Sequence, residues 1–275
     1  MSVDFSLSKR ILVIHGVQTG DDSDLTQNEN IENNLNRQLA GMEMSFTTDM
    51  FKYEDINDRA QSAVKQVLAG LTGNVITGWI VSTATDLVGD VAVALIEGDA
   101  YKEITAGFKQ RILESYNAGE PLYIISHSLG TLYAFDVVNQ LMKEDGLFQY
   151  NKPETWPVQG LMTLGSPLSL DLFKRDWRVM TRLLPDGQTL NDDSQLFPWV
   201  NYWDPTDPVV SGSAAGLPWN EQAFDHKFGD KPFDLGWDLL SRAVISGKAH
   251  LAAHTAYWDD ATVGLGIRQM LARGQ

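Results

Sequence analysis

The sequence predicts an α/β fold in which helices flank a mostly parallel central sheet. The run Ile11–Ile14 is continuously apolar and rich in β-branched residues, which is typical of a strand buried on both faces. A second apolar run, Leu122–Ile125, passes through a tight turn into a helical pattern, and a third short strand is expected at 158–164. Short buried strands separated by helical patterns favour a parallel sheet.

Hydrophobic periodicity predicts the other elements. An acidic, asparagine-rich segment at 21–36 is expected to begin as a solvated loop that leads into a helix near Ile31, Leu35 and Leu39. Alternating apolar residues predict a strand within 42–53, and a single apolar face predicts a helix over 101–116. The segment 251–273 is predicted to form a closing helix or a pair of helices.

The stretch from Val64 to Ile96 is apolar and interrupted by glycines. A membrane-spanning helix needs about 20 mostly apolar residues, whereas Asp86 and Asp90 break this stretch. We therefore expect buried or cap-forming helices, as a cap or lid insertion at about 64–100 that contributes an apolar wall to a substrate pocket. Because no internal repeat or long linker is found, a single domain over residues 1–275 is expected.

Composition limits the classes of function. With 43% hydrophobic and 21% charged residues the chain is an ordinary globular enzyme in composition, and its net charge of −15 disfavours binding to nucleic acid. The absence of cysteine excludes disulfides, cysteine nucleophiles and cysteine metal sites. Because the first ten residues lack the apolar core of a secretory signal, we expect a cytoplasmic location, with export by a route that needs no signal peptide left open.

The sequence Ser126-His127-Ser128-Leu129-Gly130 lies between the second strand and its helix. A serine at the apex of a strand–turn–helix corner is the nucleophile elbow of a serine hydrolase, where small neighbours allow strand and helix to approach closely. Ser128 is therefore the candidate nucleophile and Gly130 the second small residue. The first small position holds Ser126, where the pattern G-x-S-x-G has glycine.

The first strand ends in His15-Gly16-Val17. Esterases and lipases place part of the oxyanion hole after such a strand, so the candidate donors are the backbone N–H groups of Val17 and Leu129. His15 is interpreted as a structural histidine that supports this loop.

A serine nucleophile needs a histidine base and a carboxylate that orients the histidine, and in enzymes with this elbow they follow the serine as acid, then base. Asp207, at a rigid turn after an aromatic run, is the preferred acid, with Asp204 as its rival. His254 is the preferred base over two other histidines that follow Asp207, His226 and His250.

Metal and nucleotide sites are not expected. His250 and His254 share one helical face, but Leu251 stands where the zinc-protease pattern requires glutamate, so a metal pair is disfavoured. The sequence contains neither a P-loop nor a G-x-G-x-x-G motif. We therefore predict no metal and no cofactor.

Together these motifs resemble the α/β-hydrolase superfamily, and more closely its lipase-like and esterase-like bacterial members. The resemblance covers most of the chain from Ile11 to Trp258 and is carried by His15-Gly16, Ser126–Gly130, Thr163-Leu164-Gly165-Ser166-Pro167-Leu168, Asp204–Val209 and His254-Thr255-Ala256-Tyr257-Trp258. It implies a mostly parallel sheet wrapped by helices, with Ser128, Asp207 and His254 as a catalytic triad.

The expected function is hydrolysis of carboxylic esters through an acyl-enzyme. The apolar insertion favours a small-molecule or lipid ester, including a phospholipid, and is compatible with peripheral contact with lipid. Thioesters and amides would use the same residues. The alternative is a catalytically inactive α/β-hydrolase fold that serves as a binding or scaffolding module. The sequence leaves the oligomeric state open.

Overall fold

The computed structural model describes residues 2–16, 22–53, 98–143, 156, 158–169, 197–207, 209–210, 237–248 and 251–272. Its strands are β1 (Lys9–Ile14), β2 (Phe46–Met50), β3 (Leu122–His127), β4 (Val158–Leu164), β5 (Phe197–Trp203) and β6 (Trp237–Ala243). Its α-helices are α1 (Asp22–Leu39), α2 (Asp99–Ala118), α3 (Gly130–Lys143), α4 (Leu251–His254) and α5 (Ala261–Ala272), and short 3₁₀ turns occupy Pro167–Ser169 and Ala256–Asp259.

The six strands form one sheet in the order β2-β1-β3-β4-β5-β6, and every pair is parallel. From β1 the chain moves to β2 on one side and then returns to β3 on the other. The winding direction therefore reverses between β1 and β3. In open parallel sheets this reversal opens a crevice at the carboxyl ends of the two strands, where ligands usually bind.

Alternate residues of the central strands face two separate hydrophobic cores. Leu12 and Ile124 pack with α2 and α3 on one face of the sheet. Val13 and Ile125 pack with α1 and α5 on the other face. Burial on both faces explains why these strands are continuously apolar rather than alternating.

The predicted α/β-hydrolase fold is confirmed by this arrangement, in which the described sheet is entirely parallel. Strand β6 was not expected. The helix predicted near Ile31, Leu35 and Leu39 is confirmed, but the loop predicted before it is wrong, because α1 already begins at Asp22. The predicted cap lies outside the described residues up to position 97, and α2 begins at Asp99. None of the helices in the described part of the chain combines the length and apolarity needed to cross a membrane.

Candidate active site

The candidate site lies at the carboxyl ends of four neighbouring strands. Gly16 follows β1, Ser128 follows β3, Gly165 follows β4 and Asp207 lies in the turn after β5. Because the strands are parallel, these positions meet at one edge of the sheet, next to the reversal between β1 and β3. His254, at the end of α4, completes the group.

Ser128 has the backbone geometry of a nucleophile elbow. Its φ of 54° is the only positive φ of a non-glycine residue in the described chain, and such a conformation typically costs about 1–3 kcal/mol. Its N–H donates to the carbonyl of Leu164 at 2.9 Å, and its carbonyl accepts the Thr131 hydroxyl at 2.6 Å. Because Thr131 has used its proton, Ser166 donates to Thr131 Oγ1 at 2.8 Å. The end of β4, the residue Ser166 after it, and Thr131 in the first turn of α3 therefore hold Ser128 in its strained conformation.

Two glycines allow the elbow to pack against the end of β1. A Cβ added to Gly16 would lie 2.7 Å from Ser128 Oγ and 3.4 Å from the backbone nitrogen of Leu129. A Cβ added to Gly130 would lie 2.6 Å from the carbonyl oxygen of Ile14. Only glycine fits at these contacts, which place the loop after β1 directly beside Ser128 and the Leu129 amide.

Ser126 fits at the first small position of the elbow because its side chain finds a partner. It is fully buried, and its hydroxyl donates to the carbonyl of Met162 on β4 at 3.0 Å. A buried hydroxyl without an acceptor would carry a desolvation cost. The serine thus replaces glycine without leaving an unpaired polar group.

Asp207 and His254 form a buried acid–base pair. The two side chains meet at 2.8 Å between His254 Nδ1 and Asp207 Oδ2. The Asp207 carboxylate is inaccessible to solvent and its Oδ1 accepts the N–H of Val209 at 2.8 Å. An ionised carboxylate only accepts hydrogen bonds, so this contact places a proton on Nδ1 of a neutral His254 and leaves Nε2 free to accept one.

Asp204, the rival acid, has a different set of contacts. Its Oδ1 accepts the N–H and the hydroxyl of Thr206 at 2.8 and 2.6 Å, and its Oδ2 accepts those of Ser246 at 2.9 and 2.6 Å. These bonds hold the pKa of Asp204 below its usual value against the opposing effect of burial. Asp204 therefore ties the turn after β5 to the segment after β6, and it is Asp207 that contacts His254.

His127 packs against the candidate base. The two imidazole rings lie 4.6 Å apart between centroids, tilted by 32°. His127 Nε2 donates to the backbone carbonyl of His254 at 2.8 Å. Burial, reinforced by the nearby His254, holds the pKa of His127 well below its usual value, so this ring is neutral. The contacts of His127 bring His254, the candidate base, next to the elbow, since Ser128 follows His127 in the chain.

Several predicted positions lie outside the described residues: Val17, His226 and His250. The Leu129 amide is described and lies at the N-terminus of α3, beside Gly16. His15 is fully buried and its carbonyl accepts the Tyr53 hydroxyl at 2.7 Å, as suits a histidine that supports the loop.

Sequence reasoning gave no role to three residues at this site: His127, Gly165 and Tyr257. Gly165 has a φ of +55°, and a Cβ there would lie 2.9 Å from Asp207 Oδ2 and 3.1 Å from His254 Nδ1. The Tyr257 hydroxyl donates to Asp207 Oδ2 at 2.7 Å. The proximity of Tyr257 to His254 in sequence was the available signal, but only the turn between them brings both to one carboxylate.

Comparison with known proteins gives likenesses at the level of the whole structure. No protein-family model and no curated protein sequence matches the chain. TT1662 from Thermus thermophilus is similar at 15% identity and a TM-score of 0.46, over 96% of this chain and 89% of that one. A soluble variant of monoglyceride lipase from Saccharomyces cerevisiae is similar at 12% identity and a TM-score of 0.41, over 100% and 89%. Esterase 2 of Thermogutta terrifontis is similar at 13% identity and a TM-score of 0.34, over 96% and 80%.

These likenesses assign neither a residue role nor a substrate to this chain. The architecture itself is the stronger observation: an entirely parallel described sheet whose winding reverses between β1 and β3, with a serine at positive φ between β3 and α3. In fold and in the order of its motifs, the chain therefore resembles the α/β-hydrolase superfamily.

Proposed function

We propose that this chain is a serine hydrolase that cleaves carboxylic esters through an acyl-enzyme. Ser128 is the nucleophile, His254 the general base and acid, and Asp207 the carboxylate that orients His254. The backbone N–H groups of Leu129 and Val17 are the proposed oxyanion donors. The observation that carries the proposal is the 2.8 Å contact between His254 Nδ1 and buried Asp207, beside a serine held at positive φ.

In the acylation step, Ser128 Oγ bonds to the ester carbonyl carbon while its proton passes to His254 Nε2. The Asp207 carboxylate stabilises the imidazolium that forms. The carbonyl oxygen becomes an oxyanion, which the amide dipoles at the N-terminus of α3 favour. Collapse of this intermediate breaks the ester C–O bond, and His254 gives its proton to the departing alcohol.

In the deacylation step, water takes the place of the alcohol. His254 accepts a proton from the water while the water oxygen bonds to the acyl carbon. A second oxyanion forms and collapses, the bond to Ser128 Oγ breaks, and the proton returns to Ser128. The carboxylic acid leaves and the enzyme is regenerated.

The proposed substrate is an ester with an apolar acyl chain. Support for this class comes from the apolar composition of Val64–Ile96 in the sequence. This segment lies within residues 54–97, which the structure does not describe. A panel of nitrophenyl esters with graded acyl length, extended to phospholipids, tests it. Turnover that does not rise beyond the shortest acyl chain would contradict the apolar preference.

Covalent labelling tests the nucleophile. A fluorophosphonate probe should label the wild-type chain and should not label Ser128→Ala, because the probe bonds to an activated serine oxygen. Ser126→Ala is the matched control, a neighbouring buried serine that should leave labelling intact. A wild-type chain that does not label, or a Ser128→Ala chain that labels equally, would instead favour a non-catalytic binding module.

The acid is tested by a matched pair of substitutions. Asp207→Asn should lower kcat for a short-chain nitrophenyl ester by about 10³–10⁴, since a histidine in the wrong tautomer cannot take the serine proton. Asp204→Asn should mainly reduce stability, because the Asp204 carboxylate bonds to Thr206 and Ser246 rather than to His254. Equal losses of kcat in both variants would contradict the assignment.

The base is tested in the same assay with His254→Ala and His226→Ala. His254→Ala should lose nearly all turnover because it removes the proposed acceptor of the serine proton. If His254→Ala keeps near-wild-type turnover, the assignment of the base fails.

A further inference from the structure

Tyr257 contacts the acid of the proposed triad from a second direction. Its side chain is buried, and its hydroxyl lies 2.7 Å from Asp207 Oδ2, the same oxygen that His254 Nδ1 contacts at 2.8 Å. The same hydroxyl oxygen accepts the backbone N–H of Asp204 at 2.8 Å. Tyr257 thus bridges the first and last residues of the turn that presents Asp207.

The direction of the hydroxyl proton follows from its partners. The Asp204 amide is a donor only, so it occupies a lone pair of the Tyr257 oxygen. The carboxylate of Asp207 is an acceptor only when ionised, so the single hydroxyl proton of Tyr257 points at Oδ2. Hydrogen bonds to a charged partner in a solvent-free site are stronger than neutral ones. The orientation of this donor is therefore unambiguous.

Tyr257 remains a hydrogen-bond donor at neutral pH. Burial raises the pKa of its phenol strongly, and the neighbouring Asp207 charge and hydrogen bond raise that pKa further. Tyr257 therefore keeps its proton at neutral pH and well above it.

We infer that Tyr257 is a positioning residue of the proposed triad, which fixes the Asp207 carboxylate and through it the ring of His254. The inference rests on the proposed function. Among the residues that the structure describes, three groups donate to the Asp207 carboxylate, and two of them, on Tyr257 and His254, share Oδ2. Loss of the Tyr257 hydroxyl would leave the Asp204 amide unpaired and one carboxylate contact missing, so the acid would be less rigidly held as the imidazolium forms.

The packing at Gly165 shows how closely these groups are held. A Cβ added to Gly165 would lie 2.8 Å from Tyr257 Cε2, 2.9 Å from Asp207 Oδ2 and 3.1 Å from His254 Nδ1. Tyr257, Asp207 and His254 therefore all approach Gly165 so closely that it has no room for a side chain. A site so closely packed transmits a small displacement of Tyr257 to both partners.

The kinetic test compares Tyr257→Phe with Tyr202→Phe. Tyr202 is also a fully buried tyrosine, and its hydroxyl donates to the carbonyl of Thr262 at 3.3 Å, at α5 rather than at the triad. Tyr257→Phe should lower kcat about 10- to 100-fold, the effect of losing one hydrogen bond to a charged group. KM should stay within about twofold, because Tyr257 contacts Asp207 rather than substrate. Tyr202→Phe should keep wild-type kcat while losing stability.

A spectroscopic signal separates positioning from a general loss of stability. The proton between His254 Nδ1 and Asp207 Oδ2 should give a far-downfield proton NMR resonance. In Tyr257→Phe this resonance should move, since Oδ2 then serves one donor instead of two, and in Tyr202→Phe it should not. If Tyr257→Phe does not fold, fluorotyrosine at position 257 keeps the hydroxyl with a stronger donor, and the resonance should again move.

Ser128→Ala in the same assay separates failure of this inference from failure of the proposed function. If Ser128→Ala hydrolyses the ester as fast as wild type, the proposed serine mechanism fails and Tyr257 has no triad to position. If Ser128→Ala is inactive while Tyr257→Phe keeps wild-type kcat and an unshifted resonance, the role of Tyr257 alone is overturned.

Discussion

His127 is a buried polar residue whose value to the structure depends on its being neutral. Its Nε2 proton is used in the bond to the His254 carbonyl, and its ring lies against the His254 ring. A charged His127 would place a buried positive charge beside the base, with burial as the largest energetic penalty. The residue therefore couples the stability of the site to pH.

The sign of this coupling follows from proton binding. The pKa of His127 lies well below its ordinary value of 6.5 in the folded chain, so below about pH 6.5 the unfolded chain binds a proton that the folded chain does not. His127 therefore stabilises the fold fully above that pH. Its contribution is lost as the pH falls from about 6.5 towards the depressed pKa, by at most about 1.4 kcal/mol per pH unit.

His127→Gln isolates this effect because glutamine can donate to the same carbonyl and does not titrate. We expect the free energy of unfolding of wild type to fall more steeply than that of His127→Gln below about pH 6.5. Urea unfolding of both proteins from about pH 8 to about pH 5 measures the difference. Parallel curves would show that His127 titrates as freely in the folded chain as in the unfolded one.

At the scale of the elements, the turns after the parallel strands determine the site. Strands β1 and β4 end where the backbone approaches a neighbour closely: Gly16 reaches Ser128, and Gly165 reaches Asp207 and His254. Gly165 also takes a φ of +55°, which side-chain-bearing residues rarely adopt. These turns explain why residues distant in sequence meet within hydrogen-bonding distance.

Strong local signals made part of this arrangement predictable from sequence. The apolar runs 11–14 in β1 and 122–125 in β3 are continuous because both faces of these strands are buried, and the elbow at Ser128 has its own short motif. Strand β6 pairs only with β5 at the edge of the described sheet, so it lacks that continuous pattern and was missed. The choice of Asp207 over Asp204 was a preference, since both follow β5 and only their contacts distinguish them.

Gly165→Ala tests whether the turn after β4 sets the geometry of the acid and base. The added Cβ would force Asp207, His254 or Tyr257 to shift, and a displacement of this size in a catalytic group can lower turnover about 10²-fold. Gly247→Ala is the matched control, because Gly247 has a φ of +67° with nothing within 4 Å of an added Cβ.

Both glycine variants should lose about 1–2 kcal/mol from the unfavourable backbone conformation. Only Gly165→Ala should lose turnover on a nitrophenyl ester, measured below the unfolding temperature of each variant. An equal fall of turnover in Gly247→Ala would indicate that the loss arises from backbone strain alone.

At the scale of the whole molecule, contacts between the first and last described helices, α1 and α5, cover one face of the sheet. Helices α1 and α5 cover the same hydrophobic core. Arg268 on α5 donates to the carbonyls of Gln38 and Ala40, where α1 ends. The carbonyls at the end of a helix lack partners within it, and a cation is favoured there. Arg268 thus links two helices that are distant in sequence.

A test of the Arg268 contact by substitution needs a control with the same change of charge, because the chain already carries a net charge of −15. Arg268→Gln removes one positive charge, which on its own increases repulsion within an acidic chain. Arg111→Gln removes the same charge from a half-exposed side chain whose carboxylate contacts are long, at 3.8 and 3.9 Å. Any difference between the two variants therefore reports the contact rather than the charge.

We expect Arg268→Gln to lower the free energy of unfolding by about 1–2 kcal/mol, because two helix-end carbonyls lose a charged donor. Arg111→Gln should change it by less than about 0.5 kcal/mol, as for exposed ion pairs. Urea unfolding at low and high salt measures both. Added salt screens the charge effect common to the two variants and should leave the Arg268→Gln deficit largely unchanged. A deficit that disappears in high salt would mean that Arg268 acts through long-range charge and not through the link between α1 and α5.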